Sequence, residues 1–83
     1  MIFVYIIYSK QVDRYYVGQT DNLAERLLSH NSQKSPYTKI ANDWRAVYTE
    51  EYSTRTDARK RELEIKRKKS RKYIEWLISQ VTG

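Results

Sequence analysis

The sequence has no cysteine, one proline, two glycines and a single histidine among 83 residues. Without cysteine there is neither a disulfide framework nor a thiolate metal site. No apolar run approaches the roughly 18 to 20 residues of a membrane-spanning helix. The start, Met1-Ile2-Phe3-Val4, lacks the basic segment and small-residue cleavage site of an export signal. A soluble, cytoplasmic protein is the expectation. No internal repeat is present, and the length suits one domain over 1–83, near the lower limit for an independent core.

What is present begins with two β-branched, aromatic stretches. Phe3-Val4-Tyr5-Ile6-Ile7 and Tyr15-Tyr16-Val17-Gly18-Gln19-Thr20 read as strands. The polar residues between them lack the Asn-Gly signal of a two-residue turn, so a hairpin with a loop of about four to six residues is expected. An even-length loop puts Tyr5 and Tyr16 on one face of the sheet, and an odd one separates them.

Asn22 and Glu25 have capping-box spacing and predict a helix running to about Asn31. At about 100° per residue, Leu23, Leu27, Ala24 and Leu28 form its apolar face, with Arg26 and His30 paired on the rim. Residues 32–42 read as a loop, broken at Ser35-Pro36. Trp44 to Tyr52 alternates as a third strand, with Glu50-Glu51 marking its exposed end. Ser53, Thr54 or Thr56 can cap a helix containing Ala58, Glu62, Leu63, Ile65 and Lys66. Ser70 can cap a last helix from Arg71 to about Val81, whose apolar side carries Tyr73, Ile74, Leu77, Ile78 and Val81 before Gly83. The order β-β-α-β-α-α predicts an α+β fold: a small three-stranded antiparallel sheet flanked by helices.

Charge is unevenly spread. Between Arg55 and Lys72 lie ten of the sixteen Lys and Arg residues but only three of the ten acids. That asymmetry fits a surface facing a polyanion, nucleic acid being the commonest, though a solvated helix face has the same composition.

The hydrophobic-Tyr pair Val4-Tyr5, followed about a dozen residues later by Tyr16-Val17-Gly18, resembles the GIY-YIG nuclease domain. The likeness continues through Arg26, His30 and Glu62 and is greatest to short stand-alone bacterial members. Phe3 stands where the first motif's Gly would be. The resemblance implies a metal-dependent endonuclease that hydrolyses phosphodiester bonds, DNA being the expected substrate, with Tyr5, Tyr16, Arg26, His30 and Glu62 as catalytic residues. It also implies one divalent cation, Mg²⁺ with Mn²⁺ as a substitute, held by Glu62. Mg²⁺ commonly takes one or two carboxylates and keeps several waters. Arg26 offers a planar fork of donors to the pentacoordinate transition state.

The general base has two candidates. The resemblance favours Tyr16, yet a free tyrosine is only about one part in a thousand ionised at pH 7. His30 is the easier base on intrinsic grounds. Gly18, Lys34, Lys39, Lys66, Lys69, Arg71 and Lys72 are candidate nucleic-acid contacts. Gly18 would serve close approach by a phosphate or the following helix, or end the strand in a bulge. Taken singly, each residue has a plainer reading: strand tyrosines pack, surface cations solvate, and Glu62 pairs with a neighbouring base. A nucleic-acid-binding module with this fold but little cleavage is the alternative, and a monomer or weak dimer is expected.

Overall fold

The computed structural model describes residues 1–82, and Gly83 lies outside the described residues. Its order is β1 (Ile2–Ser9), β2 (Arg14–Thr20), α1 (Leu23–Asn31), β3 (Arg45–Tyr52), α2 (Arg55–Lys68) and α3 (Arg71–Thr82). The three strands form one antiparallel sheet in the order β2-β1-β3. The fold is α+β. No helix among the described residues is long and apolar enough to cross a membrane.

β1 is central, so both of its faces are covered: Val4, Tyr5, Ile6 and Ile7 are all essentially inaccessible. On one face Val4, Ile6 and Val17 pack with Ala58, Ile65 and Leu77 from α2 and α3. Burying a side chain such as Ile65 contributes roughly 2–3 kcal/mol. On the other face Tyr5 and Ile7 pack with Ala41, Trp44, Leu23 and Leu27. The sheet is therefore the middle layer, with α1 and the 32–44 loop on one side and α2 and α3 on the other.

The hairpin loop has four residues, Lys10 to Asp13, which sets Ser9 opposite Arg14 and Tyr5 opposite Gly18. Ile7 opposes Tyr16. Tyr5 and Tyr16 thus share a face as diagonal neighbours. The caps follow the sequence. Asn22 Oδ1 accepts from Glu25 N at 3.1 Å, Thr54 Oγ1 from Asp57 N at 3.2 Å, and Ser70 Oγ from Tyr73 N at 3.1 Å.

Five local expectations are corrected. The buried side of α1 is rotated: Leu28 is 67 % exposed, while His30, expected on the rim, is wholly buried. Tyr5 and Thr38 offer His30 hydrogen-bond partners that the sheet interior otherwise lacks. Trp44 precedes β3 because Asn31 takes both its backbone groups, donating to Trp44 O at 2.8 Å and accepting from Trp44 N at 2.6 Å. A bulge then interrupts the β3 alternation, with Ile6 opposite Tyr48 but Ile7 opposite Ala46, so Val47 and Tyr48 both pack toward α2 and α3. Glu50 is no exposed strand end; it is drawn inward by Arg61, and Val81 is 62 % exposed.

Candidate active site

The site gathers at the β2 edge, where α1 approaches from one face of the sheet and α2 from the other. Arg26 and His30 stand one turn apart on α1, and Glu62 and Lys66 one turn apart on α2. Tyr16 and Gln19 project from β2 between them.

The α1 side is a buried hydrogen-bonded chain. Arg26 Nε donates to Tyr5 Oη at 3.4 Å, Tyr5 Oη lies 2.9 Å from His30 Nε2, and His30 Nδ1 lies 2.6 Å from Thr38 Oγ1. Thr38 is itself fixed by Trp44 Nε1, which donates to its carbonyl at 2.8 Å. Tyr16 meets the edge of the His30 ring at 5.2 Å between centroids. Burial, reinforced by the Arg26 charge, depresses the His30 imidazole to about 4, so it is neutral at pH 7. Burial also raises the Tyr5 phenol above its usual 10, outweighing the opposing pull of Arg26. Tyr5 keeps its proton.

Gly18 makes this chain possible. A Cβ there would lie 2.5 Å from Tyr5 Oη and 2.7 Å from Tyr5 Cζ. The ring of Tyr5 crosses the strand over Gly18, which is buried and continues β2. The bulge offered as one reason for Gly18 is corrected, since β2 keeps its register through Gly18 to Thr20. The close neighbour of Gly18 is an aromatic ring, a cross-strand need invisible in its local sequence.

On the α2 side, Glu62 Oε1 accepts from Gln19 Nε2 at 2.9 Å and Glu62 Oε2 from Lys66 Nζ at 2.6 Å. Lys66 also stands 5.8 Å from the centroid of the Tyr16 ring. The charge of Glu62 reaches Tyr5, and that of Arg26 reaches both Tyr5 and Tyr16. The structure thus brings together all five predicted catalytic side chains. Glu64, two residues on, is exposed and pairs with Arg61 at 2.6 Å.

The remaining predicted cations divide. Lys66, Lys69 and Arg71 line one cavity beside Tyr16, although Arg71 is already bound to Asp13 at 2.6 Å and Glu75 at 3.4 Å. Lys34 and Lys39 stand exposed on the 32–44 loop, and Lys72 on α3. Sequence reasoning overlooked Gln19 and Thr38. Gln19 directly follows Tyr16-Val17-Gly18, which is a usable signal; Thr38 sits in an irregular loop with none.

Arg26 carries no ion pair among the described residues, so its charge faces two tyrosines without an acid of its own. A cation held in place by uncharged hydroxyls is a receptor for an outside anion. The GIY-YIG catalytic domain matches residues 1–74. The chain belongs to the GIY-YIG family. A UPF0213 protein of Staphylococcus saprophyticus is 35 % identical over 79 residues, covering 94 % of each chain. The UPF0213 protein YazA of Bacillus subtilis is 34 % identical over 77 residues, covering 88 % of this chain and 77 % of its own. The solution NMR structure of a UPF0213 protein from Bacillus halodurans superposes with a TM-score of 0.60 at 32 % identity, covering 96 % of this chain and 85 % of that one. Family membership supports a nuclease-type function with nucleic acid as the substrate class.

The donor set suits a hard cation of the kind the family implies. Glu62 is the carboxylate at the site, and no three of His, Cys, Asp and Glu converge among the described residues. A single carboxylate is within what Mg²⁺ commonly takes from a protein. Beside Glu62, the Gln19 Oε1 oxygen is buried without a hydrogen-bond partner. The Gln19 amide faces Glu62 through Nε2, so its unmet oxygen would become a second hard donor beside the carboxylate once the amide turned over.

Proposed function

We propose that this protein is a Mg²⁺-dependent endonuclease that hydrolyses phosphodiester bonds of DNA. The observation that carries this reading is the uncompensated Arg26 charge, held against Tyr5 and Tyr16. Its guanidinium offers donors to the phosphoryl oxygens, whose negative charge grows toward the transition state. Glu62 would hold the cation, which when bound supplies Lewis-acid polarisation of the phosphate.

Tyr16, half-buried against His30 on the edge strand β2, would take the proton of the attacking water. His30 has no exposure, and both ring nitrogens are engaged. It acts as a positioning residue, fixing the Tyr5 hydroxyl and the Tyr16 ring. Tyr5, 1 % exposed, positions Arg26 in the same way.

A second reading, a binding module that does not cut, is favoured by two contacts: both Glu62 oxygens are already held, by Gln19 and Lys66. Supercoiled-plasmid cleavage at low salt with Mg²⁺, Mn²⁺ or EDTA separates the two, with Glu62→Ala beside wild type. The expected result is metal-dependent nicking that disappears in the variant. A plasmid shifted but left intact under every condition overturns the nuclease reading in favour of the binding module.

A further inference from the structure

Tyr16 and Lys66 also border a second feature. A cavity of about 380 Å³ opens between the start of β2 and the junction of α2 with α3. Its inner wall is apolar, made by buried Val17 and Ile65 and half-buried Tyr15 and Ile74. Its exposed members Arg14, Lys66 and Lys69 are cationic. The one carboxylate on its lining, Asp13, is neutralised by Arg71 at 2.6 Å, and Arg71 in turn lies 5.1 Å over the Tyr15 ring. That contact ties the hairpin loop to α3 and fixes one side of the cavity.

The cations on the open side are differently placed. The side chains of Arg14 and Lys69 form no ion pair among the described residues. Lys69 also occupies the left-handed C-cap of α2, φ 47°, a position that favours glycine. The side chain present there puts a positive charge at the mouth.

An apolar wall under a cationic rim complements a nucleotide, with its base against the wall and its phosphate at the rim. We propose that this cavity receives one unpaired nucleotide of the substrate strand, beside the phosphate engaged at Arg26 and Tyr16. The inference rests on the endonuclease reading and narrows it. A base stacked and paired in duplex DNA cannot enter the cavity, so the preferred substrate carries unpaired nucleotides next to the cleaved bond.

The test is binding in EDTA, where no cleavage occurs, followed by ¹H–¹⁵N NMR of the whole protein. Titrants are an oligothymidylate of about ten nucleotides and a duplex of equal length. The oligothymidylate is expected to shift the amides of Tyr15, Val17, Lys69 and Ile74 and to bind roughly tenfold more tightly than the duplex, as one stacked base allows. Arg14→Ala with Lys69→Ala, both at exposed positions, is expected to weaken that binding and to lower its logarithmic salt slope by about 1.4. Shifts confined to Arg59, Lys60 and Arg67, equal affinity for duplex, an unaffected double variant or no binding at all would each overturn the proposal. Plasmid nicking with an untouched cavity would leave the endonuclease standing without it. Cavity binding without nicking would leave a single-strand-binding site without the enzyme.

Discussion

Arg26 and Arg61 each donate to a tyrosine hydroxyl, one on each side of the sheet, and of these two only Arg61 meets an acid. Arg61 grips Glu50 with two nitrogens, Nε at 2.9 Å from Oε1 and Nη2 at 3.0 Å from Oε2, while Tyr48 and Tyr52 donate to the same carboxylate. Burial works to raise the Glu50 carboxyl, but Arg61 and the two tyrosines outweigh it and hold the group below its ordinary range. Arg26 has instead Tyr5, backed by His30 and Thr38. The first network is closed, with charge neutralised and every role structural. The second holds its arginine by a longer bond, 3.4 Å from Arg26 Nε to Tyr5 Oη, and is left positive. On the proposed function, that difference makes one a brace and the other a site for an anion.

The largest effect expected from breaking this contrast is on the open side. Arg26→Ala and Glu62→Ala should each lower plasmid cleavage by on the order of a hundredfold to a thousandfold. Both are part-exposed and support little of the apolar core, so circular dichroism and thermal melting should show the fold retained. Near-normal cleavage by either folded variant would remove the assignment.

The closed side should behave in reverse. Glu50→Ala leaves the largely buried Arg61 with only the exposed Glu64 and two tyrosine hydroxyls without an acceptor, which should cost about 3 kcal/mol in denaturant unfolding. Cleavage per folded molecule should stay within about twofold of wild type, because no part of this network reaches the site. A large loss of activity at full folding would show that the two arginines are not independent.

These expectations also mark how far the sequence could be read. Strand and helix order was legible because the apolar alternation of β1 and β2 and the cap residues Asn22, Thr54 and Ser70 are local signals. The shared face of Tyr5 and Tyr16 was conditionally legible, since it depended only on whether the loop was even. What sequence could not show were the partnerships across the fold. The apolar wheel of α1 gave no hint that a histidine, not Leu28, would be buried, because the reason lies in Tyr5 and Thr38 from other segments. Glu50 looked like a strand end for the same cause: its partner is eleven residues away on α2.

Acid should separate the two networks without any substitution. His30 has a folded-state value of about 4 against an ordinary 6.5, so the unfolded chain takes up the proton first. Its contribution is complete above pH 6.5 and is lost as pH falls toward 4, amounting to about 2 kcal/mol between pH 6.5 and 5. Glu50 is depressed too, but from a lower starting point, so its share survives until below about pH 4.3. Tyr48 and Tyr52, pushed up to about 12 by burial and by Glu50, hold the opposite limit, with stability lost only between pH 10 and 12. Melts at pH 5 and 7 should therefore differ in wild type and converge in His30→Gln. An unchanged difference in that variant would place the acid-sensitive group elsewhere.

The smallest and most local test concerns the space beneath Tyr5. In Gly18→Ala the new methyl must displace an aromatic ring whose nearest atom is the hydroxyl that Arg26 and His30 share. Overpacking of this kind should cost about 1.5 kcal/mol. Removing that hydroxyl in Tyr5→Phe eliminates the 2.5 Å approach but leaves the one at 2.7 Å, so the double variant should recover only part of the loss. Activity should not recover with it, because the double variant still lacks the hydroxyl that fixes Arg26. If stability and cleavage returned together, the Tyr5 ring would be mere packing and the polar chain behind Arg26 would have no positioning role. If stability returned alone, Gly18 would be the residue that lets a buried tyrosine hold an arginine ready for phosphate.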